Sequence, residues 1–89
     1  MSSETYLNHP TFGLLNRLCQ LDDKRELFTT LYAQRLFFIV EHQTQGLQIE
    51  SLGRNEARMI VEKQLRITRS QGNSQAYATL YKVHQQVFC

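Results

Sequence analysis

The spacing of apolar residues divides the chain into two parts with different periods. Up to residue 53 the segments FTTLYAQ, RLFFIVEHQ and GLQIESL are rich in β-branched and aromatic residues, and their apolar positions alternate as in β-strands. Turn signals lie at residues 21–24, at 33–34 and at 44–46, where Gly46 can take a positive φ. The pattern predicts short strands, beginning with FGLLNRLCQL, in a strongly bent antiparallel sheet or small barrel.

One alternative stays open for residues 11–33, because their leucines also fit the spacing of a single helix face. These leucines are Leu14, Leu15, Leu18 and Leu21. Neither Pro10 nor Gly13 excludes a helix at this place. The pattern favours strands here without ruling the helix out.

After residue 53 the apolar residues follow a helical period. The stripe of the first predicted helix is Ala57, Ile60, Val61 and Leu65. The SQGNS segment at 70–74 is a break, in which Gly72 fits a helix end and Asn73 or Ser74 fits an N-cap. The stripe of the second helix is Ala76, Tyr77, Leu80, Tyr81, His84, Val87 and Phe88. Two short amphipathic helices with a short connection predict an antiparallel hairpin.

The distribution of charge places a boundary at the same point. Residues 1–53 carry a net charge of −2, residues 54–69 carry +3, and residues 70–89 add one lysine. We therefore expect an α+β chain with a β domain at 1–53 and a two-helix appendage at 54–89.

Composition limits the class of protein. The chain has 89 residues, is 42% hydrophobic and has a formal net charge of +2, which suits one small folded domain. Cys19 and Cys89 are too few and too far apart for a disulfide scaffold, so we expect free thiols. The opening MSSETYLNHP is no signal peptide, and the longest apolar run, 36–40, cannot cross a bilayer. These features predict a soluble, cytoplasmic protein.

Few residues are candidates for catalysis or for binding a metal or cofactor. His9, His42 and His84 lie on three predicted elements, with no Cys or carboxylate at ligand spacing, so we expect no metal. The Asp pair at 22–23 falls in a turn, and the four glycines stand apart rather than in a phosphate loop. We expect a protein that is not an enzyme and needs no cofactor.

The predicted helix at 54–69 raises nucleic acid as an alternative partner. Its cations, which could contact phosphates, are Arg54, Arg58, Lys63, Arg66 and Arg69. Glu56 and Glu62 partly neutralise them, and Glu62 can pair with Arg66 one turn away. The simplest interpretation is therefore a solvated helix face, and we expect no specific binding to DNA.

The segment around 30–40 is apolar on both sides of the predicted hairpin. With a turn at 33–34, one face carries Leu27, Leu31, Phe37 and Ile39. The other face carries Phe28, Tyr32, Leu36, Phe38 and Val40. One set fills the inside of the barrel, and the second stays uncovered unless the C-terminal helices or a partner cover it. Since uncovered Tyr and Phe faces mark interaction sites, an interaction module is the leading interpretation.

Three long blocks resemble a known family. ETYLNHPTFGLL, ELFTTLYAQRLFF and GRNEARMIVEKQLR resemble the cyanobacterial family of PII-interacting protein X, PipX. The similarity covers nearly the whole chain, although QAYATLYKVHQQVF is a looser match and LDDKR and EHQTQGLQIE diverge most. The resemblance implies a Tudor-like domain, which is a bent five-stranded sheet, followed by two helices.

The resemblance also implies a function and a site. Members are adaptors that bind the trimeric signalling protein PII when 2-oxoglutarate is scarce. When it is abundant they bind the 2-oxoglutarate-loaded dimer of the transcription activator NtcA as a coactivator. Both partners would use one Tudor-like face, which on this chain consists of Glu4, Tyr6, Phe12, Tyr32, Gln34, Arg35, Leu36 and Phe38. We expect a free monomer, with RNA polymerase or other regulators as candidate partners of the helices and no contact with membranes.

Overall fold

A computed structural model describes residues 6–31 and 36–89. The elements in chain order are β1 (Tyr6–His9), β2 (Gly13–Gln20), β3 (Arg25–Thr30), β4 (Phe37–Gln43), β5 (Gly46–Leu52), α1 (Arg54–Ser70) and α2 (Ser74–Phe88). The strands form one antiparallel sheet in the order β1-β2-β3-β4-β5, and this sheet curls into a half-barrel. The predicted α+β fold, with a bent sheet followed by a helical hairpin, is confirmed.

The helical alternative for residues 11–33 is wrong, because this region forms β2 and β3. Leu15 and Leu18 show why, since each is buried in a different apolar cluster. Residues three apart lie on opposite faces of a strand, whereas they share one face of a helix. The pairing of β2 with β3 also shifts between Arg17 and Cys19, which marks a bulge that bends the sheet.

The turn predictions agree with the structure where it describes them. Asp22 Oδ1 accepts hydrogen bonds from the backbone N–H groups of Lys24 and Arg25, both at 2.9 Å. The bond from the Lys24 N–H, followed by the Arg25 side chain, lowers the pKa of Asp22. Gly46 has the expected positive φ, at 134°. The predicted turn at 33–34 lies outside the described residues.

The helix boundaries follow the predicted signals. Helix α1 begins after Gly53, whose N–H donates to the Glu56 carboxylate at 3.1 Å. Beyond the end of α1, Gly72 has a φ of 72°. The Asn73 side chain then accepts from the Ala76 N–H at 3.1 Å, so Asn73 is the N-cap of α2.

The two helices cover one face of the sheet. The shared cluster contains Leu18, Leu27, Phe37, Ala57, Val61, Leu80, Val87 and Phe88. The ring of Phe37 stacks on Phe88 with 5.5 Å between centroids. Arg54 binds the end of α2 twice, because its Nη2 donates to the Val87 carbonyl at 2.8 Å and its guanidinium lies 5.4 Å from the Phe88 ring centre. The last turn of α2 is therefore packed firmly on the sheet.

The concave face of the half-barrel is filled by the sheet itself. Its core is Leu15, Phe28, Phe38 and Val40, and Leu7 from β1 and Ile49 from β5 pack against it. The prediction that the face of Phe28, Phe38 and Val40 stays uncovered is wrong, because these side chains are at most 3% exposed. The curl brings both edge strands over this face, while the helices cover the other one.

The expected boundary at residue 53 coincides with the change from strand to helix, since β5 ends at Leu52 and α1 begins at Arg54. The helices nevertheless share a core with the sheet, so the division into units 1–53 and 54–89 stays a prediction. Neither helix of the described residues has the length and apolar character needed to cross a membrane.

We predict that Phe88→Ala lowers the free energy of unfolding by about 3 kcal/mol, because truncating a buried Phe leaves a cavity. The change removes the ring that contacts both Phe37 and Arg54. Urea denaturation followed by circular dichroism measures the effect. Tyr81→Ala is the matched control on the same helix, because Tyr81 is 46% exposed, and it should cost less than about 1 kcal/mol. Equal losses for the two variants would contradict this account of the docking.

Candidate functional site

Two connections meet at one end of the half-barrel. The strand register places the β1–β2 turn and the β3–β4 connection at the same end of the sheet. The Leu31 N–H donates to the Leu14 carbonyl at 3.0 Å. The Leu36 carbonyl accepts from the Thr30 N–H at 3.2 Å and from the buried Thr29 hydroxyl at 2.9 Å. Both described ends of the β3–β4 connection are thus bonded to the sheet.

Aromatic side chains cluster at this end. Phe12 lies 5.5 Å from Phe38, and His9 lies 5.0 Å from Phe12 and 5.6 Å from Phe38, measured between ring centres. Phe38 is 3% exposed, whereas Phe12 is 45% and Leu36 43% exposed. We term His9, Phe12, Leu36 and Phe38 the aromatic end. Its floor is the buried Phe38 ring, and Phe12 and Leu36 present apolar surface to solvent.

His9 fixes the turn that presents Phe12. Its Nδ1 accepts hydrogen bonds from the backbone N–H groups of Thr11 at 3.0 Å and Phe12 at 3.2 Å. Nδ1 therefore carries no proton, and the imidazole acts as an Asp or Asn side chain does in many turns. From the sequence, His9 was considered only as a metal ligand, and its role in the turn was not predicted. Its position just before Pro10 was the available signal, since side-chain acceptors commonly precede turns.

The structure describes some of the predicted site residues and not others. Phe12 and Leu36 are both exposed, and Phe38 is buried against Phe12. Tyr6 is 45% exposed on β1, but it faces away from Leu7, which packs into the concave core. The remaining members lie outside the described residues, and they are Glu4, Tyr32, Gln34 and Arg35. The site as a whole stays a prediction.

The opposite end of the concave face is charged. The Glu26 carboxylate accepts from Arg17 Nη1 at 2.9 Å and lies 2.6 Å from His42 Nε2. Burial of Glu26 opposes ionisation, but the hydrogen bonds from His42 and Arg17 outweigh it and lower the pKa of the carboxyl. A buried charge with two such partners is a structural ion pair, and it closes the apolar interior on the side away from the aromatic end.

The basic helix offers less to phosphates than its sequence suggests. Arg58, Lys63, Arg66 and Arg69 are exposed on α1. Arg54 is instead engaged by the Val87 carbonyl and the Phe88 ring. Glu62, predicted to pair with Arg66, lies 3.0 Å from His84 of α2. Arg54, one of the five cations, therefore helps to hold the two helices together.

The thiols and metal-ligating groups show no metal centre in the part of the chain that the structure describes. No three His, Cys, Asp or Glu residues among those described are arranged to bind an ion. Cys19 and Cys89 are both free. Burial, opposed in part by the charge of Arg17, raises the pKa of the Cys19 thiol to about 12, so this side chain is an inert packing residue.

A curled five-stranded half-barrel fits the Tudor-like class of small β domains, and here it is followed by a helical hairpin. The family model described as PipX, PII-interacting protein X, matches residues 3–88. Because the match spans nearly all 89 residues, the chain belongs to this family of PII-interacting regulatory proteins, and the resemblance seen in the sequence is confirmed. None of the curated proteins compared matches the chain.

We predict that Glu26→Gln makes the free energy of unfolding less dependent on pH in the acid range. The folded-state pKa of Glu26 is depressed, so its contribution is complete above the unfolded-state pKa and is lost as the pH falls through the folded one. The wild-type free energy of unfolding should therefore fall more steeply than that of the variant below about pH 4.5, the ordinary glutamate value. Urea titrations from pH 7 downward measure both slopes. Glu50→Gln, at an exposed position on β5, should keep the wild-type slope, and parallel curves for all three would refute the assignment.

Proposed function

We propose that this protein is a non-enzymatic cytoplasmic adaptor, monomeric when free, that binds trimeric PII or, alternatively, 2-oxoglutarate-bound NtcA as a coactivator. Membership of the PII-interacting family supports the first partner. The second follows from the resemblance of the sequence blocks, and with it the role of linking nitrogen and carbon status to transcription.

The observation that carries this proposal is the exposed apolar surface of the aromatic end. Phe12 and Leu36 stand on a rigid base, because Phe38 is buried beneath Phe12 and the Leu36 carbonyl is bonded twice to β3. Residues 32–35 are joined in sequence to Leu31 and Leu36, and both of these are anchored to the sheet. The resemblance of the sequence blocks adds Tyr32, Gln34 and Arg35 to the proposed contact surface, together with Glu4 and Tyr6. Buried apolar anchors next to polar groups are typical of binding hot spots.

The two complexes exclude each other because they need the same surface. A standard interface covers roughly 800 Å² of each partner. On the described part of the sheet the large exposed apolar side chains are Tyr6, Phe12, Leu36 and Leu47. Leu47 follows the β4–β5 turn at the other end, so it cannot join an interface centred on Phe12 and Leu36.

We predict that PII displaces this protein from NtcA when 2-oxoglutarate is removed. A preformed complex with NtcA is mixed with purified PII, and the species are separated by size-exclusion chromatography with light scattering. The expected result is a PII complex and free NtcA. A stable assembly that contains all three proteins through one adaptor molecule would contradict a shared site.

We predict that Tyr32→Ala weakens binding to both partners by about 2 kcal/mol, which is about thirtyfold in Kd. The hydroxyl of a Tyr anchor can reach a polar group on the partner while its ring packs against apolar side chains. Isothermal titration calorimetry measures the affinities, and thermal melting should remain close to that of the wild type.

Two variants serve as controls for Tyr32→Ala. Leu47→Ala removes an exposed apolar side chain at the opposite end and should leave both affinities unchanged. Phe37→Ala should instead unfold or strongly destabilise the protein, because Phe37 is 1% exposed and stacks on Phe88. If Tyr32→Ala destabilises the fold as Phe37→Ala does, Tyr32 is a core residue and its assignment to the interface fails.

A further inference from the structure

A cysteine, a histidine and a glutamate form a connected row on the helical hairpin. Cys89 is an exposed residue, and its Sγ lies 3.8 Å from His84 Nδ1. The other ring nitrogen, Nε2, lies 3.0 Å from Glu62 Oε2 on α1. The His84 side chain is only 14% exposed and packs obliquely against Phe88, at 5.8 Å between ring centres. The packing of α2 on α1 thus brings together His84 and Glu62, which are 22 positions apart in the sequence.

The hydrogen bonds determine which nitrogen of His84 is the base. An ionised carboxylate can only accept, so the proton of the neutral ring lies on Nε2 and points to Glu62. Nδ1 then bears the lone pair, and it faces the thiol of Cys89. The Gln85 amide nitrogen, a donor, lies 3.5 Å from the same Nδ1, which agrees with Nδ1 being an acceptor. The order is therefore nucleophile, base and orienting carboxylate.

We propose that Cys89 is a reactive thiol site that undergoes thiol–disulfide exchange with small disulfides, with His84 as the base and Glu62 as a positioning residue. As the Cys89 sulfur attacks one sulfur of the disulfide RS–SR, its proton passes to His84 Nδ1. The S–S bond of the reagent breaks and a Cys89–S–SR bond forms. The departing RS⁻ is the reduced product and takes a proton from the imidazolium or from water, which restores neutral His84. Electrons and protons balance without a further reagent.

Cys19 provides an internal comparison for this proposal. It is largely buried, and this burial raises its pKa to about 12. Because the thiolate is the attacking species, Cys19 should react slowly as long as the protein is folded. The family match ends at residue 88, so the family description does not assign a role to Cys89. The site is also independent of the proposed contacts with PII and NtcA.

The test measures the second-order rate of reaction with the chromogenic disulfide dithionitrobenzoate at pH 7, in a Cys19→Ser background. Cys89 should react about tenfold faster in the folded protein than in the same protein unfolded in urea, a modest effect for a positioned general base. Adding His84→Gln should reduce this ratio to about one, because Gln cannot take the proton. Adding Glu62→Gln should give an intermediate ratio of about three, because the ring keeps its lone pair but loses the carboxylate.

Oxidised glutathione tests the physiological class of disulfide. Intact-protein mass spectrometry should show one glutathione adduct on the wild type and none on folded Cys89→Ser, in which only Cys19 remains. Circular dichroism melts verify that each variant is folded. If His84→Gln does not fold, the rate ratio of Glu62→Gln tests the proposal instead. A folded Cys89 that reacts no faster than the unfolded one, or variants that retain the full wild-type ratio, would overturn the proposal.

Discussion

Two adjacent phenylalanines define the constraint on which the rest of this structure depends. Phe37 and Phe38 follow one another in β4, so they point to opposite faces of the sheet, and both are at most 3% exposed. Burying one such ring stabilises a fold by roughly 1.5–3 kcal/mol, so leaving either face in water would cost much of the stability of a small domain. The chain covers one face with Phe88 and the helices, and it covers the other by curling the sheet over Phe38.

The curl also determines which apolar side chains of the described sheet are buried and which are exposed. A flat sheet would offer Phe28, Phe38 and Val40 as a broad contact surface, but in the half-barrel these side chains are buried in the core. The exposed apolar side chains of the described sheet include Phe12, which packs on Phe38, and Leu36, which directly precedes β4. Phe12 is supported by the buried Phe38 ring, and Leu36 by the two hydrogen bonds that its carbonyl accepts from β3. In the proposed interface these two side chains lose little freedom on binding, which favours affinity per unit of area.

The sequence predicted the features that depend on local patterns. A period of two before residue 53 and of 3.6 after it identified the strands and the helices, and alternation separated Phe37 from Phe38 correctly. The period could not show which set of side chains would be covered. That depends on how far the sheet curls and on whether the edge strands bring Leu7 and Ile49 over the core. The sequence blocks that resemble the family pointed to PII as a partner, which no periodicity could do.

The missed contacts are mostly those between residues distant in sequence. Glu26 meets His42 across 16 positions, and Glu62 meets His84 across 22, so neither spacing predicts a pair. The spacing allowed Glu62 to pair with Arg66, because a helix brings those two near each other. The burial of His84 between the helices instead gives the carboxylate a partner with less access to water. His9 is the exception, since its bonds span only two and three residues.

The docking of α2 connects features that are otherwise far apart in the molecule. Phe88 contacts Phe37 on the sheet, Arg54 at the start of α1 and His84 one turn earlier. His84 reaches Glu62 only while α2 lies against α1, so the row that ends at Cys89 is formed by the same packing that covers the outer face of the sheet. A change that releases Phe88 from Phe37 would therefore separate His84 from Glu62 as well. The chemistry of Cys89 is for this reason coupled to the fold, although Cys89 itself is exposed and contributes little to the core.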